Sequence, residues 1–200
     1  MASRQSIVSF RALAGVAANG QADARGMYLL DSNDTSKYYA FFSICSGLGE
    51  EGEIFAREFL SRRIEPYSET YKNGTMGKPG EFLKKILSDL LKELGSRGYI
   101  AGDVEPSLAV VMIRNGTLHA VRLNSFPMLL LKEKKLQHVF NKTRARGRDS
   151  IQAASANIEN GDMMVLGSED TLRNITELEL RSILMGEEDL SLACSRINIQ

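Results

Sequence analysis

Between Glu81 and Leu131 the spacing of apolar residues changes, and the change narrows the fold to one class. Phe82, Leu83, Ile86, Leu87, Leu90, Leu91 and Leu94 recur at i, i+3, i+4 and i+7, with Lys84, Lys85, Asp89 and Lys92 between them. That is the stripe of a helix with one buried face. From Ser107 the apolar residues come instead in short runs separated by turn residues. Leu108 to Ile113 and Thr117 to Leu123 flank Asn115-Gly116, a dipeptide favoured in two-residue hairpin loops. Met128 to Leu131 and Leu136 to Phe140 flank a second turn over 132–135. Helices followed by antiparallel hairpins must pack on those hairpins to bury their stripes, which predicts an α+β fold with antiparallel sheets.

The stretch Tyr38 to Arg63 joins the two halves of that pattern. Tyr38 to Cys45 is a continuous apolar run with polar flanks and reads as a strand buried on both faces. It turns through Ser46-Gly47-Leu48-Gly49, passes Glu50-Glu51, and enters a helix from about Glu53 to Arg63 with Ile54, Ala56, Phe59 and Leu60 on one side. Upstream, Met27 to Leu30 is a short strand, paired with the Tyr38 run through the polar turn Asp31 to Lys37; Ala14 to Gly26 reads as loop and Ser6 to Leu13 as a further strand. Downstream, Asn141 to Ser150 is a basic loop and Met163 to Leu166 a buried strand. Gly95 is the expected stop of the long helix. Thr176 and Glu179 form a capping box that opens a helix ending near Gly186. Glu187 to Cys194 adds a helical turn or two, and Ile197-Asn198-Ile199 reads as a last strand. The 200 residues fit one domain, 1–200.

Charge and composition exclude several functions. Lys plus Arg and Asp plus Glu each number 25, so the chain lacks the basic field of a general nucleic-acid binder. Arg144, Arg146 and Arg148 then read as a solvated loop. Cys45 and Cys194 are far apart and lack metal spacing; Cys45, inside an apolar run, reads as a buried thiol in a reducing compartment. Met1 to Arg11 lacks a signal-peptide core, and no run approaches the roughly 20 apolar residues of a membrane span. A cytoplasmic protein with no membrane partner is expected. His119 and His138 lie within strands without cysteine partners and read as strand residues rather than ligands.

Ser46-Gly47-Leu48-Gly49-Glu50 after a buried strand, Asn124-Ser125-Phe126-Pro127-Met128-Leu129 at a corner, Ile158 to Leu166 with its Asn-Gly-Asp phrase, and Ser168-Glu169-Asp170-Thr171 behind it occur in one order. In that order they resemble the signatures of the PPM-type, or type 2C, metal-dependent protein phosphatases, in particular the flapless bacterial regulatory branch. The resemblance runs from about Gly15 to the end. It implies a four-layer α/β/β/α sandwich of two antiparallel sheets flanked by helices. It also implies a reaction in which two metal ions, about 3.5–4 Å apart, activate a bridging water against phosphorus. Mg²⁺ or Mn²⁺ there needs carboxylate oxygens.

Carried over position by position, the resemblance places the metal-holding residues on Gly26, Ser46 with its neighbour Gly47, and Glu169, with a fourth on Ser195. Gln21 stands where the family holds phosphate with arginine. Only Glu169 is a carboxylate. A neutral hydroxyl at Ser46 cannot replace a bridging anion. The expected function is therefore a catalytically inactive, pseudophosphatase-like module that binds a protein partner, a phosphoprotein among the candidates, and carries no metal. The alternative is an active serine/threonine phosphatase using Mg²⁺ or Mn²⁺ at an altered site. Glu50, Glu51, Glu169 and Asp170 would be its residual acidic cluster, although these acids read first as the decoration of a helix N-terminus, favourable to its dipole. Partner identity and oligomeric state are not legible in the sequence.

Overall fold

The computed structural model describes residues 20–29, 38–64, 78–100, 106–114, 116–124, 126–140, 151–159, 161–167, 172, 174–187, 192–193 and 196–197. Eight strands and three helices of more than one turn lie among them: β1 Gly20–Leu29, β2 Tyr38–Ser46, α1 Gly49–Ile64, α2 Pro79–Ser96, β3 Ser107–Arg114, β4 Thr117–Leu123, β5 Met128–Lys132, β6 Lys135–His138, β7 Ile151–Asn157, β8 Met163–Leu166 and α3 Glu177–Gly186. One sheet has the order β1-β2-β3-β4-β7 and the other β6-β5-β8, with every pair antiparallel.

The layers follow from the two-residue period of the strands. Leu108, Val110 and Met112 of β3, with Val121 and Leu123 of β4, pack against Ala56 and Leu60 of α1 and Leu83, Leu87, Leu90 and Leu94 of α2. The alternate residues Val111, Ile113, Leu118 and Ala120 face the other way, onto Met128, Met164 and Leu166 of the second sheet and Phe140 just after β6. Leu129, Leu131 and Val165 leave that sheet on its far side and meet Leu180, Ile183 and Leu184 of α3. Three apolar seams thus separate four layers, α/β/β/α, as the resemblance implied. Each seam exists because successive side chains of a strand point to opposite faces.

The sequence predicted some elements closely. The stripe at 82–94 is α2, the Asn115-Gly116 hairpin is β3–β4, and Gly116 takes the left-handed φ of 75° that such a turn requires. The capping box is present in both directions: Thr176 Oγ1 accepts from Glu179 N, and the Glu179 carboxylate accepts from Thr176 N.

Other expectations are corrected. Residues 20–26 are strand rather than loop, so β1 is ten residues long. Its small, polar residues carry no strand signal; they are held by pairing with the apolar β2. Ile151–Asn157, with four Ala and Ser residues in a row, is also a strand, and β4 supplies its ladder. Gly95 stays inside α2; the chain leaves at Gly98, whose φ is 76°, with Tyr99 N donating to Leu94 O. Residues 196–197 are helical, so Ile197 does not begin a last strand. Residues 6–13, the 31–37 turn and the 141–150 loop lie outside the described residues. Among the described residues, no helix is long and apolar enough to cross a membrane.

Candidate functional site

The site expected from the sequence begins where β2 ends. Ser46 pairs with Gly20 on one side and Ser107 on the other. Its register partner line runs through Phe42 and Val111, so the Ser46 position is on the face turned toward the second sheet. The end of β4 lies beside the start of β3, and a short corner carries the chain across to Met128, which pairs with Leu166 at the end of β8. One edge of the sandwich therefore collects Ser46, Ser107, Leu123, Met128 and Leu166. Glu169 and Asp170, outside the described residues, follow β8 directly.

The turn at this edge is built around two glycines. Gly47 and Gly49 have φ of 79° and 70°, values that side chains oppose. Leu48 between them is buried in the helix-side core. Gly52 packs so closely that a Cβ there would stand 2.9 Å from Leu48 Cβ and 3.3 Å from Tyr99 Cβ. Phe55 stacks at 5.7 Å on Tyr99, and Arg97 lies 4.4 Å above the Phe55 ring, which ties the start of α1 to the end of α2.

Glu50 and Glu51 are exposed in the first turn of α1, where their charge complements the helix dipole. Glu53 behaves differently. It is 8% exposed, and hydrogen bonding to the Leu48 and Gly47 backbone acts to lower the pKa of its carboxyl. Burial pushes its pKa up, and the two amide bonds pull against that shift. From the sequence, Glu53 reads only as the start of a helix. A carboxylate a few residues after a Gly-x-Gly turn, next to an apolar stripe, is the signal that marks it.

The opposite wall is the corner after β4. Asn124 has a left-handed φ of 59° and donates from Nδ2 to the Pro106 carbonyl at 2.7 Å. Arg122 donates from Nη1 to the Phe126 carbonyl at 3.0 Å and from Nε to Gln152 Oε1 at 2.9 Å, with its guanidinium 4.5 Å from the Phe140 ring centroid. Gly167 N reaches the Pro127 carbonyl at 3.5 Å and so joins β8 to this corner.

The positions carried over from the resemblance do not all meet. Gly26 lies at the irregularity between Arg25 and Tyr28, six positions along β1 from the partner of Ser46. At the usual rise this is about 20 Å, too far to share a metal pair with Ser46. The pairing register, not the alignment of apolar triplets, decides which β1 residue stands beside Ser46, and that residue is Gly20, followed by Gln21. The nearby acid, Asp23, pairs with Ser43, whose ladder partner Val110 belongs to the helix-side seam; the Asp23 position is thus on the other face of the sheet. Among the described residues no group of three or more His, Cys, Asp and Glu could hold a metal ion. The described residues of this edge do not fit a paired-dication centre.

The histidines lie elsewhere. His119 Nδ1 is 3.0 Å from Ser155 Oγ on the β4–β7 pair, with its pKa pushed down by burial and by the Arg114 charge. His138 Nε2 is 3.0 Å from Glu177 Oε1, joining β6 to α3. Lys132 pairs with Glu159 at 2.8 Å, and Asp162 caps the Glu159 amide at 2.9 Å. These contacts tie elements together away from Ser46.

No protein-family model and no curated protein matches this sequence. Solved structures do match its fold. A serine/threonine phosphatase of S. agalactiae superposes with a TM-score of 0.63 at 9% identity, over 92% of this chain and 88% of that one. The catalytic domain of the serine/threonine phosphatase PstP, solved with two manganese ions, gives 0.58 at 12% identity, over 90% of each chain. RsbX in complex with magnesium gives 0.59 at 10% identity, over 90% of this chain and 78% of that one. The two antiparallel sheets, the helices on their outer faces and the glycine turn after β2 together give this chain the fold of the bacterial PPM-type serine/threonine phosphatases.

Proposed function

We propose that this chain is a single, cytoplasmic PPM-fold domain that does not hydrolyse phosphoesters and instead docks a protein partner at the Ser46 edge. The hairpin register carries this reading. It sets Gly20 and Ser107 on either side of Ser46, so three adjacent strand ends offer hydroxyls and a glycine where a dinuclear centre needs anionic oxygens. Two bound dications without bridging carboxylates repel each other with nothing to offset the repulsion. What the fold retains is a shaped edge between two sheets, walled by a braced turn and a braced corner.

Incubation of the protein with Mn²⁺ and a phosphorylated peptide is expected to release no phosphate above background, and calorimetric titration with Mn²⁺ to show no pair of tight sites. A pull-down with the intact chain is expected to retain a protein partner that a Ser46→Arg variant loses. Turnover abolished by Glu169→Gln would overturn the proposal.

A second reading rests on the path of β8. That strand ends at Leu166 on the same edge, and Glu169 and Asp170 come three and four residues later in the sequence. On this reading the two acids hold one Mg²⁺ or Mn²⁺ for an altered phosphatase. One saturable Mn²⁺ site, lost in Glu169→Gln together with phosphate release, would favour it.

A further inference from the structure

A sheet that ends in an open strand offers a row of unpaired backbone groups to any other strand, and natural sequences usually guard such positions. Among the described residues, three of the four outer strands carry a guard. β1 holds Asp23 and Arg25 and loses register between Arg25 and Tyr28. β6 and β8 have four residues each, and β6 begins at Lys135. β7 has none of these features: Ile151–Asn157 is seven residues long, without charge or proline, and its register with β4 is unbroken. Among the described residues, β4 is the one strand beside it.

The register decides which groups of β7 are open. β3 and β4 close their hairpin on the Arg114–Thr117 pair, so alternate residues of β4 bond back to β3, while Leu118, Ala120 and Arg122 bond to β7. Their partners are Ala156, Ala154 and Gln152. A bond of 2.8 Å from Ile158 N to Gly116 O continues the same alternation. Ile151, Ala153, Ser155 and Asn157 therefore turn their N–H and C=O groups away from the sheet. Lys132 Nζ lies 3.5 Å from the Asn157 carbonyl, whereas Ala153 and Ser155 are exposed.

We propose that β7 pairs with the β7 of a second copy of this chain, antiparallel about a two-fold axis at Ala154, joining two five-stranded sheets into one. In that register Ala153 of one copy stands opposite Ser155 of the other, and these open residues exchange both of their hydrogen bonds. A two-fold axis brings like beside like, so a charged strand would repel its own copy; β7 carries no charge. The small side chains of Ala153 and Ser155 also offer little for selecting a foreign peptide, which a partner of another sequence would need. A contact made chiefly of main chain buries little apolar surface, so dissociation in roughly the micromolar to millimolar range is expected. This pairing does not depend on what the Ser46 edge binds.

Sedimentation velocity of the full-length chain at rising concentration is expected to show a monomer–dimer equilibrium. Ala153→Pro deletes an outward N–H, and Ala153→Lys sets two lysines diagonally across the axis; each should weaken association at least about tenfold. An equimolar mixture of Ala153→Lys and Ala153→Glu should recover association, which a failure to fold could not produce. Hydrogen exchange supplies an internal control. The Ala153 and Ser155 amides should become protected as concentration rises, while those of Gln152 and Ala154 stay protected throughout. A chain that remains monomeric up to millimolar concentration, or a dimer that either Ala153 variant leaves unchanged, would overturn the proposal. Protection of the Ala153 and Ser155 amides only when a different protein is added would overturn it too, by giving the strand a foreign occupant.

Discussion

The turn after β2 and the corner after β4 stand at the same end of the sandwich, and each needs a charged side chain of opposite sign. At the turn, backbone N–H groups of Gly47 and Leu48 meet a carboxylate, Glu53. At the corner, the backbone carbonyl of Phe126 meets a guanidinium, Arg122, while the Pro106 carbonyl meets the Asn124 amide. The turn relies on glycines for its left-handed residues, whereas the corner uses Asn124, whose short polar side chain tolerates that conformation. The difference lies in what a substitution leaves behind. Removing Glu53 strands two donors, and removing Arg122 strands acceptors and uncovers an aromatic ring. Gly47 is exposed, so water can take over one of those donors, whereas Arg122 is part-buried and makes more kinds of contact.

The largest effect is therefore expected at Arg122. Arg122→Ala removes a charge-assisted bond, the Gln152 bond and the contact with Phe140, and should cost about 2–4 kcal/mol in urea unfolding. Arg122→Lys keeps the charge but not the fork and should recover less than half of that. If Arg122→Ala costs less than Glu53→Ala, the ranking of the two walls is reversed. Gly52→Ala comes next, at about 1–3 kcal/mol, because its Cβ would stand 2.9 Å from Leu48 Cβ; a thermal midpoint equal to that of the wild type would show that the turn yields more readily than the corner. Asn124→Ala loses the 2.7 Å bond to Pro106 and places alanine at a φ of 59°, for about 1–2 kcal/mol. Asn124→Gly should recover the conformational part and so separate strain from hydrogen bonding.

The smallest effect lies outside both walls and serves as their control. The Thr176 side chain and backbone hold the Glu179 pKa below its usual value of 4.5. A depressed carboxylate stabilises the fold above its unfolded pKa, and that contribution disappears as pH falls through the folded value. Glu179→Gln should therefore lower stability modestly in the neutral region and flatten the acid limb of the profile below about pH 4.5. Acid unfolding followed by circular dichroism checks this. An unchanged acid limb would show that the capping box is not what titrates.

How much of this was legible in the sequence depended on whether an element carries its own signal. The α2 stripe and the β3–β4 hairpin do, because apolar period and turn chemistry agree within a few residues. β1 does not: Gln21, Ala22, Asp23 and Ala24 favour no strand, and only the ladder to β2 makes them one. The same holds for Ala153, Ala154 and Ser155 of β7, which the ladder to β4 holds. The site was legible to the same degree. Ser46 could be read from the strand and glycines around it. The residue beside it could not, because an irregularity after Arg25 and an unrecognised half-strand shifted the register from Gly26 to Gly20. A hydroxyl where the resemblance expects a carboxylate is visible in a sequence; which residue stands beside it is a property of pairing.

Gly52 has a mechanical consequence. With only hydrogens at that point, Leu48 and Tyr99 press on the same piece of main chain from two directions. The missing methyl acts as a thickness gauge between the mouth of the fold and the last turn of α2. A graded set of side chains at this position would work as shims, prising that mouth apart in small steps from a point that no ligand needs to touch.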